Sequence, residues 1–219
     1  MRKYASDFLL FVSIVALGAC ATVPGCQATR ELRKSSAGEQ GAVSPSSIPD
    51  PNQRFQLSGF SVLPPRGNDW AIVSGAGEFE VGFAKRLRDP HRAVLATAWG
   101  RRVTTRSSDR KGLLEGMIRA REEGSKAGHF RLLAFTSAFD SSSGSECVRY
   151  DSTVEDRGIP QFPEEVFVLS SHGFICVHPN ESAYVVGVEY SQRAPQGETL
   201  LPIDAEGESF LESLSFTPR

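Results

Sequence analysis

The pattern of apolar and polar positions divides the chain into unlike parts. Between Ala21 and Arg54 the large apolar residues Val23, Leu32, Val43 and Ile48 stand alone, whereas from Phe55 onward short apolar runs recur. Phe60 and Val62 precede Pro64-Pro65 and a turn-like Arg66-Gly67-Asn68-Asp69, and Trp70-Ala71-Ile72-Val73 follows. This order predicts a hairpin-like start. Phe79, Val81 and Phe83 alternate with polar or small residues and mark a strand; Ala93 to Trp99, ended by Gly100, marks another. Gly75-Ala76-Gly77 lacks the third glycine and the βαβ setting of a dinucleotide fingerprint, so it reads as a hairpin turn.

The period then changes. Leu113, Leu114, Met117, Ile118 and Arg121 fall at i, i+1, i+4, i+5 and i+8, which places four apolar residues on one helical face. Asp109 is the candidate N-cap, and Gly124 and Gly128 can end the helix. Strand patterns resume over 130–139, 147–153, 165–170, 174–178 and 184–190. A short helical stripe over 205–214 carries Phe210, Leu211 and Leu214. Strands, one helix, more strands and a terminal helix predict one α+β domain over residues 55–219: a mostly antiparallel sheet with a central and a short C-terminal helix packed on it. Gly59-Phe60-Ser61-Val62 with Pro64 and Trp70 at the start, and 210–216 (Phe-Leu-Glu-Ser-Leu-Ser-Phe) at the end, resemble the PsbP/Mog1-type α/β/α sandwich, which also occurs in small bacterial lipoproteins. The resemblance implies a binding or assembly-assisting domain and brings no catalytic residues with it.

The N-terminus has a pattern of its own. Arg2 and Lys3 precede an apolar run of nine, Phe8 to Ala16, and Asp7 slightly weakens the positive start. A basic start and a short apolar run describe an export signal, too short to span a membrane as a mature helix. Leu17-Gly18-Ala19-Cys20 then resembles the lipobox of bacterial lipoproteins. Small side chains let extended backbone enter a peptidase, and the thiol is the nucleophile for thioether attachment to diacylglycerol. The resemblance implies removal of residues 1–19, lipidation of Cys20, and an acyl chain on its new amino group. Each buried methylene contributes about 0.8 kcal/mol, so several chains are needed for lasting attachment. Cys26, in Val23-Pro24-Gly25-Cys26, is the rival lipid site, disfavoured by Pro24 and by its distance from the apolar run. A plain secretory signal without lipidation is the other alternative. Ala21, where an enterobacterial inner-membrane lipoprotein would carry Asp, points to the outer membrane, facing the periplasm.

Residues 20–54 are rich in Ser, Gly, Pro, Gln and Ala and cannot bury enough surface to offset the entropy of ordering. They read as a tether. About 30 flexible residues reach roughly 30 Å on average and nearer 100 Å when stretched. Without residues 1–19, 22 basic residues face 25 acidic ones, a balance that indicates no nucleic-acid partner.

Cys147 and Cys176 both lie in strand-like segments. In an exported chain a disulfide between them is the leading reading, and two buried thiols the alternative. A metal site is the rival: Cys176 and His178 share a strand face, His172 precedes them, and zinc accepts mixed sulfur and nitrogen ligands. No Cys-x-x-Cys or His-x-x-x-His spacing supports it, so neither metal nor cofactor is expected. Ser141-Ser142-Ser143 and Ser170-Ser171, with His172 and the carboxylates of Asp151, Glu155 and Asp156, raise a serine hydrolase. The Gly-x-Ser-x-Gly elbow that exposes such a nucleophile is missing, and the serine-rich run fits a solvated loop. His91 beside Pro90 and His129 beside Gly128 read as loop or strand-edge residues.

Arg101-Arg102, Arg106 and Arg110-Lys111 form a basic run, suited either to solvent or to anionic headgroups or a protein partner. Residues 150–157 mix signs and aromatics and are candidates to line a concave surface; Arg149 and Arg193 are expected to pair with their carboxylates. The function expected is a non-catalytic binding or assembly domain, held to a bilayer through Cys20 and serving an envelope protein partner. An envelope hydrolase or metal-dependent enzyme, or a small-ligand receptor, is the alternative.

Overall fold

Strand-period alternation governs most of the chain after residue 55, and the chain answers it with antiparallel sheet. The computed structural model describes residues 46–48, 50–74, 78–103, 109–140 and 146–218. Cys20, Cys26, Gly75-Ala76-Gly77, Arg106 and Ser141-Ser142-Ser143 lie outside the described residues. In chain order come β1 (Ser46–Ser47), β2 (Phe55–Leu57), β3 (Phe60–Val62), β4 (Trp70–Ser74), β5 (Glu80–Lys85) and β6 (Ala93–Arg102). After them follow α1 (Arg110–Gly124), β7 (Phe130–Asp140), β8 (Cys147–Asp156), β9 (Phe167–His178), β10 (Glu181–Pro195), α2 (Asp204–Leu211) and β11 (Ser215–Phe216). The large sheet has the order β1-β4-β5-β6-β10-β9-β8-β7, and a small sheet the order β11-β3-β2. Every pairing is antiparallel. The fold is α+β, mostly antiparallel, with two short helices.

Successive side chains on a strand face opposite ways, and here each face is covered by its own helix. On one face α1 sets Leu113, Leu114 and Ile118 against Val148, Ile175, Val177 and Val185. On the other, Phe210 and Leu211 of α2, with Phe60 and Val62 of β3, pack on Ala96, Ala98, Val186 and Val188. Phe210 and Leu114 are fully enclosed, and burial of such a side chain contributes about 1.5–3 kcal/mol. Asp109 holds the N-cap position of α1, and its carbonyl accepts from the Leu113 N–H at 3.1 Å. Among the described residues no helix is long and apolar enough to cross a membrane.

Three local expectations change. β3 does not form a hairpin with β4. It pairs with β2 and with C-terminal β11, Ser61 opposite Ser215 and Phe60 opposite Phe216. Pro64 and Pro65 supply no N–H donors for a strand arm, and Gly67 and Asp69, at φ +99° and +68°, turn the chain across to the large sheet. Strand pairing also starts upstream of Phe55: Ser46 and Ser47 pair with Ile72 and Ala71, and Arg54 donates twice to the Ser213 carbonyl. Finally, the two strands expected over 165–170 and 174–178 are one strand, β9. His172 and Gly173 break the apolar pattern but not the ladder, because β8 and β10 run unbroken on both sides.

Cys147 and Cys176 stand directly opposite one another in the β8–β9 register and are joined, with Sγ–Sγ 2.07 Å and Cα–Cα 4.0 Å. The link closes a loop of 29 residues, a constraint of about 3–4 kcal/mol in the chain-entropy view.

Candidate functional site

Register builds two polar rows back to back. Tyr150 on β8 faces Gly173 on β9, which faces Glu189 on β10; one residue along, Asp151 faces His172, which faces Tyr190. Each row therefore looks out on the opposite face of the same three strands.

The first row lies under α1. The buried Tyr150 hydroxyl donates to Glu189 Oε2, and Arg121 from the last turns of α1 donates to the same oxygen at 2.7 Å. Arg121 also lies over the Tyr150 ring, 5.5 Å from its centroid. The glycine between them is required. A Cβ on Gly173 would stand 2.6 Å from the Val188 carbonyl and 2.8 Å from the Tyr150 hydroxyl. Burial, and then the Glu189 charge, push the Tyr150 phenol well above its ordinary range. Burial alone would weaken the hold of Arg121 on its proton, but Glu189 and Tyr150 outweigh it and keep the guanidinium charged. The trio pins α1 to the sheet and leaves no exposed reactive atom.

The second row lies on the α2 face, beside α2 rather than beneath it. Asp151 Oδ1 is 2.6 Å from His172 Nδ1, and His172 Nε2 is 3.1 Å from Ser170 Oγ. A carboxylate only accepts, so it fixes the proton on Nδ1 and leaves Nε2 to accept from the serine hydroxyl. The imidazole stacks on Tyr190 at 4.9 Å between centroids. Burial, then the carboxylates of Glu208 and Asp204, raise the Tyr190 phenol. Arg149, over the Phe174 ring at 5.3 Å, and Thr136, 3.4 Å from Asp151 Oδ2, flank the row. The side chains of His172 and Asp151 remain 27% and 46% exposed. On β8 the contrast is complete: Val148, Tyr150, Ser152, Val154 and Asp156 on the α1 face are buried, whereas Arg149, Asp151 and Thr153 on the α2 face are half-buried.

The sequence had named Ser170, His172 and Asp151 as loose candidates, and the structure brings them into one chain of contacts. It parts others. Cys147 and Cys176 spend their sulfurs on each other, and buried His178 turns Nε2 to the carbonyls of Gly59 and Thr217 at 3.0 and 3.2 Å, so the mixed Cys/His set does not converge on a metal. Arg149 pairs with Glu208 of α2 instead of the 150–157 carboxylates, because its strand position turns it to the α2 face. Arg193 lies over Phe167 at 5.0 Å, with Asp156 as its charged neighbour. Glu155 accepts from Arg131 and Arg157, which hold its carboxyl below the usual range. His91 and His129 pair with Glu165 and Asp156 at 2.9 and 3.3 Å, and His91 stacks on Phe162. In the basic run Arg101 covers Trp99, Arg102 pairs with Glu181, Arg110 donates to the Pro179 carbonyl and Lys111 lies over Phe139. Sequence reasoning missed Glu189. Its signal was a carboxylate at an inward position of the apolar run 184–190.

No known protein family matches the sequence, and no curated protein matches it. Among solved structures the chain is similar to the crystal structure of LpqN, involved in cell envelope biogenesis of Mycobacterium tuberculosis. The TM-score is 0.48 at 15% identity, over 80% of this chain and 90% of that one.

Proposed function

We propose that this chain is a lipid-anchored envelope protein whose folded domain is a non-catalytic binding module, working through the part of its sheet that α2 leaves open. The observation that carries the reading is the half-buried Asp151–His172 row with Arg149, Phe174 and Thr153 around it. A donor, an acceptor, a cation and a ring within one strip suit a polar ligand or a partner segment. The anchor is Cys20, and the address is the outer membrane on its periplasmic side. The PsbP/Mog1-type architecture belongs to the same reading: the two stretches that carry that resemblance lie side by side where β3 pairs with β11.

A photocrosslinking residue at Thr153 should trap a discrete envelope component, and a second substitution, His172→Ala, should abolish the adduct. The same probe at Glu115, exposed on α1, should trap none. Equal trapping at both positions, or none at either, removes the binding reading. For the anchor, acyl-precursor labelling should be lost in Cys20→Ala, with release of the domain. Labelling that persists there and disappears in Cys26→Ala moves the anchor to Cys26.

The Asp151–His172–Ser170 contacts favour one second reading, a serine hydrolase, since nucleophile and base lie within hydrogen-bond reach. Against it, Ser170 is 7% exposed in the middle of β9, its backbone groups taken up by the ladders to β8 and β10. No N–H beside it is left to stabilise an oxyanion. A fluorophosphonate probe should leave the protein unlabelled; labelling abolished by Ser170→Ala would replace the binding reading with this one.

A further inference from the structure

β7 is the outer strand of the large sheet, so one row of its backbone N–H and C=O groups points away from β8. Such an edge is a template for another strand unless Pro, Lys or a covering element blunts it. Residues 130–140 contain neither Pro nor Lys. At 11 residues the strand is also about twice the usual length. Two of the exposed large hydrophobic residues lie on it, Leu133 at 47% and Phe139 at 50% exposure. The irregularity between Leu132 and Ala134 puts Leu133 on the same side as Phe135 and Phe139, which is the α1 side. An apolar row thus runs along the open margin.

The row complements itself. A two-fold axis perpendicular to the sheet at Thr136 keeps every side chain on its own face and sets the two strands antiparallel. Thr136 then meets its own copy, Ala134 meets Ala138, and Leu133 meets Phe139. The bulge takes up one extra residue, which brings Arg131 at one end opposite Asp140 of the other copy. Both side chains lie on the α2 face, so opposite charges meet at each end of the pair. Like ends would clash in a parallel arrangement. We propose that β7 is a self-association edge and that its occupant is a second copy of this chain, paired antiparallel about Thr136. The proposal does not rest on the binding reading above, but it would set the Asp151–His172 strips of two copies on one continuous face.

The test uses the full-length protein in its own membrane, in a Cys26→Ser background. Direct partners across such a pair have Cβ atoms about 4.5–5.5 Å apart, so Thr136→Cys should cross-link to itself on mild oxidation. Glu115→Cys, on the exposed side of α1, should not. Adding Leu133→Lys and Phe139→Lys should lower the Thr136→Cys yield at least tenfold while the thermal midpoint stays in place, since both side chains are exposed. Cross-linking at Thr136→Cys no greater than at Glu115→Cys overturns the proposal. So does a photocrosslinker at Thr136 that traps the chain's own residues 21–45, or a different protein, in place of a second copy. Failure here leaves the Thr153 result untouched, and the reverse holds as well.

Discussion

Tyr150 and Asp151 follow one another on β8, and each belongs to a three-residue polar chain, yet the two chains sit in different media. Tyr150, Glu189 and Arg121 are closed in by α1, with Gly173 clearing room for the ring. Asp151, His172 and Ser170 lie on the other face, half open beside α2. In the enclosed chain a lost partner leaves a charge with neither water nor counter-charge. In the open chain water takes over whatever is removed. The same kinds of side chain therefore fasten a helix on one face and remain available for recognition on the other.

Substitutions can break this contrast, and the largest effect belongs to the closed side. Glu189→Ala strands the Arg121 guanidinium and should cost about 3–5 kcal/mol of unfolding free energy in a denaturant titration. Replacing all three with apolar residues of similar size, Arg121→Met, Glu189→Leu and Tyr150→Phe, should restore most of that loss. If Glu189→Ala were as mild as a surface change, the trio would not be what holds α1 down. Next comes Gly173→Ala, where the new methyl must displace the Val188 carbonyl or the Tyr150 hydroxyl. About 1–3 kcal/mol is expected from such overpacking, read as a lower thermal midpoint. That cost should shrink when Tyr150→Phe is added, since one of the two obstructing atoms is then gone. The smallest effect is Asp151→Asn, at about 1 kcal/mol or less because the pair is well exposed. Its signature is the Thr153 adduct, which should weaken while stability holds; a stability loss as large as that of Glu189→Ala would erase the distinction between the faces.

Legibility followed the range of each interaction. The stripe of Leu113, Leu114, Met117 and Ile118 announced α1, because helical period is a local property. The strands were legible for the same reason, and so was the Cys147–Cys176 pair, from compartment and residue type. The partner of β3 was not, since its choice of β11 over β4 depends on residues about 155 positions away. Arg149 was matched to the nearest carboxylates in sequence, but alternation sent it to the face where Glu208 waits.

The sequence by itself determined where an anchor belongs, at Cys20, the α+β class of the domain, and which side chains alternate inward. Those follow from composition and from periods of 2 and 3.6, which a linear reading captures. Only the tertiary structure decided that Ser170, His172 and Asp151 meet while Glu189 and Arg121 meet behind them. Cross-strand register and the choice of face are set by packing among distant segments, and a shift of one residue would have exchanged the two rows.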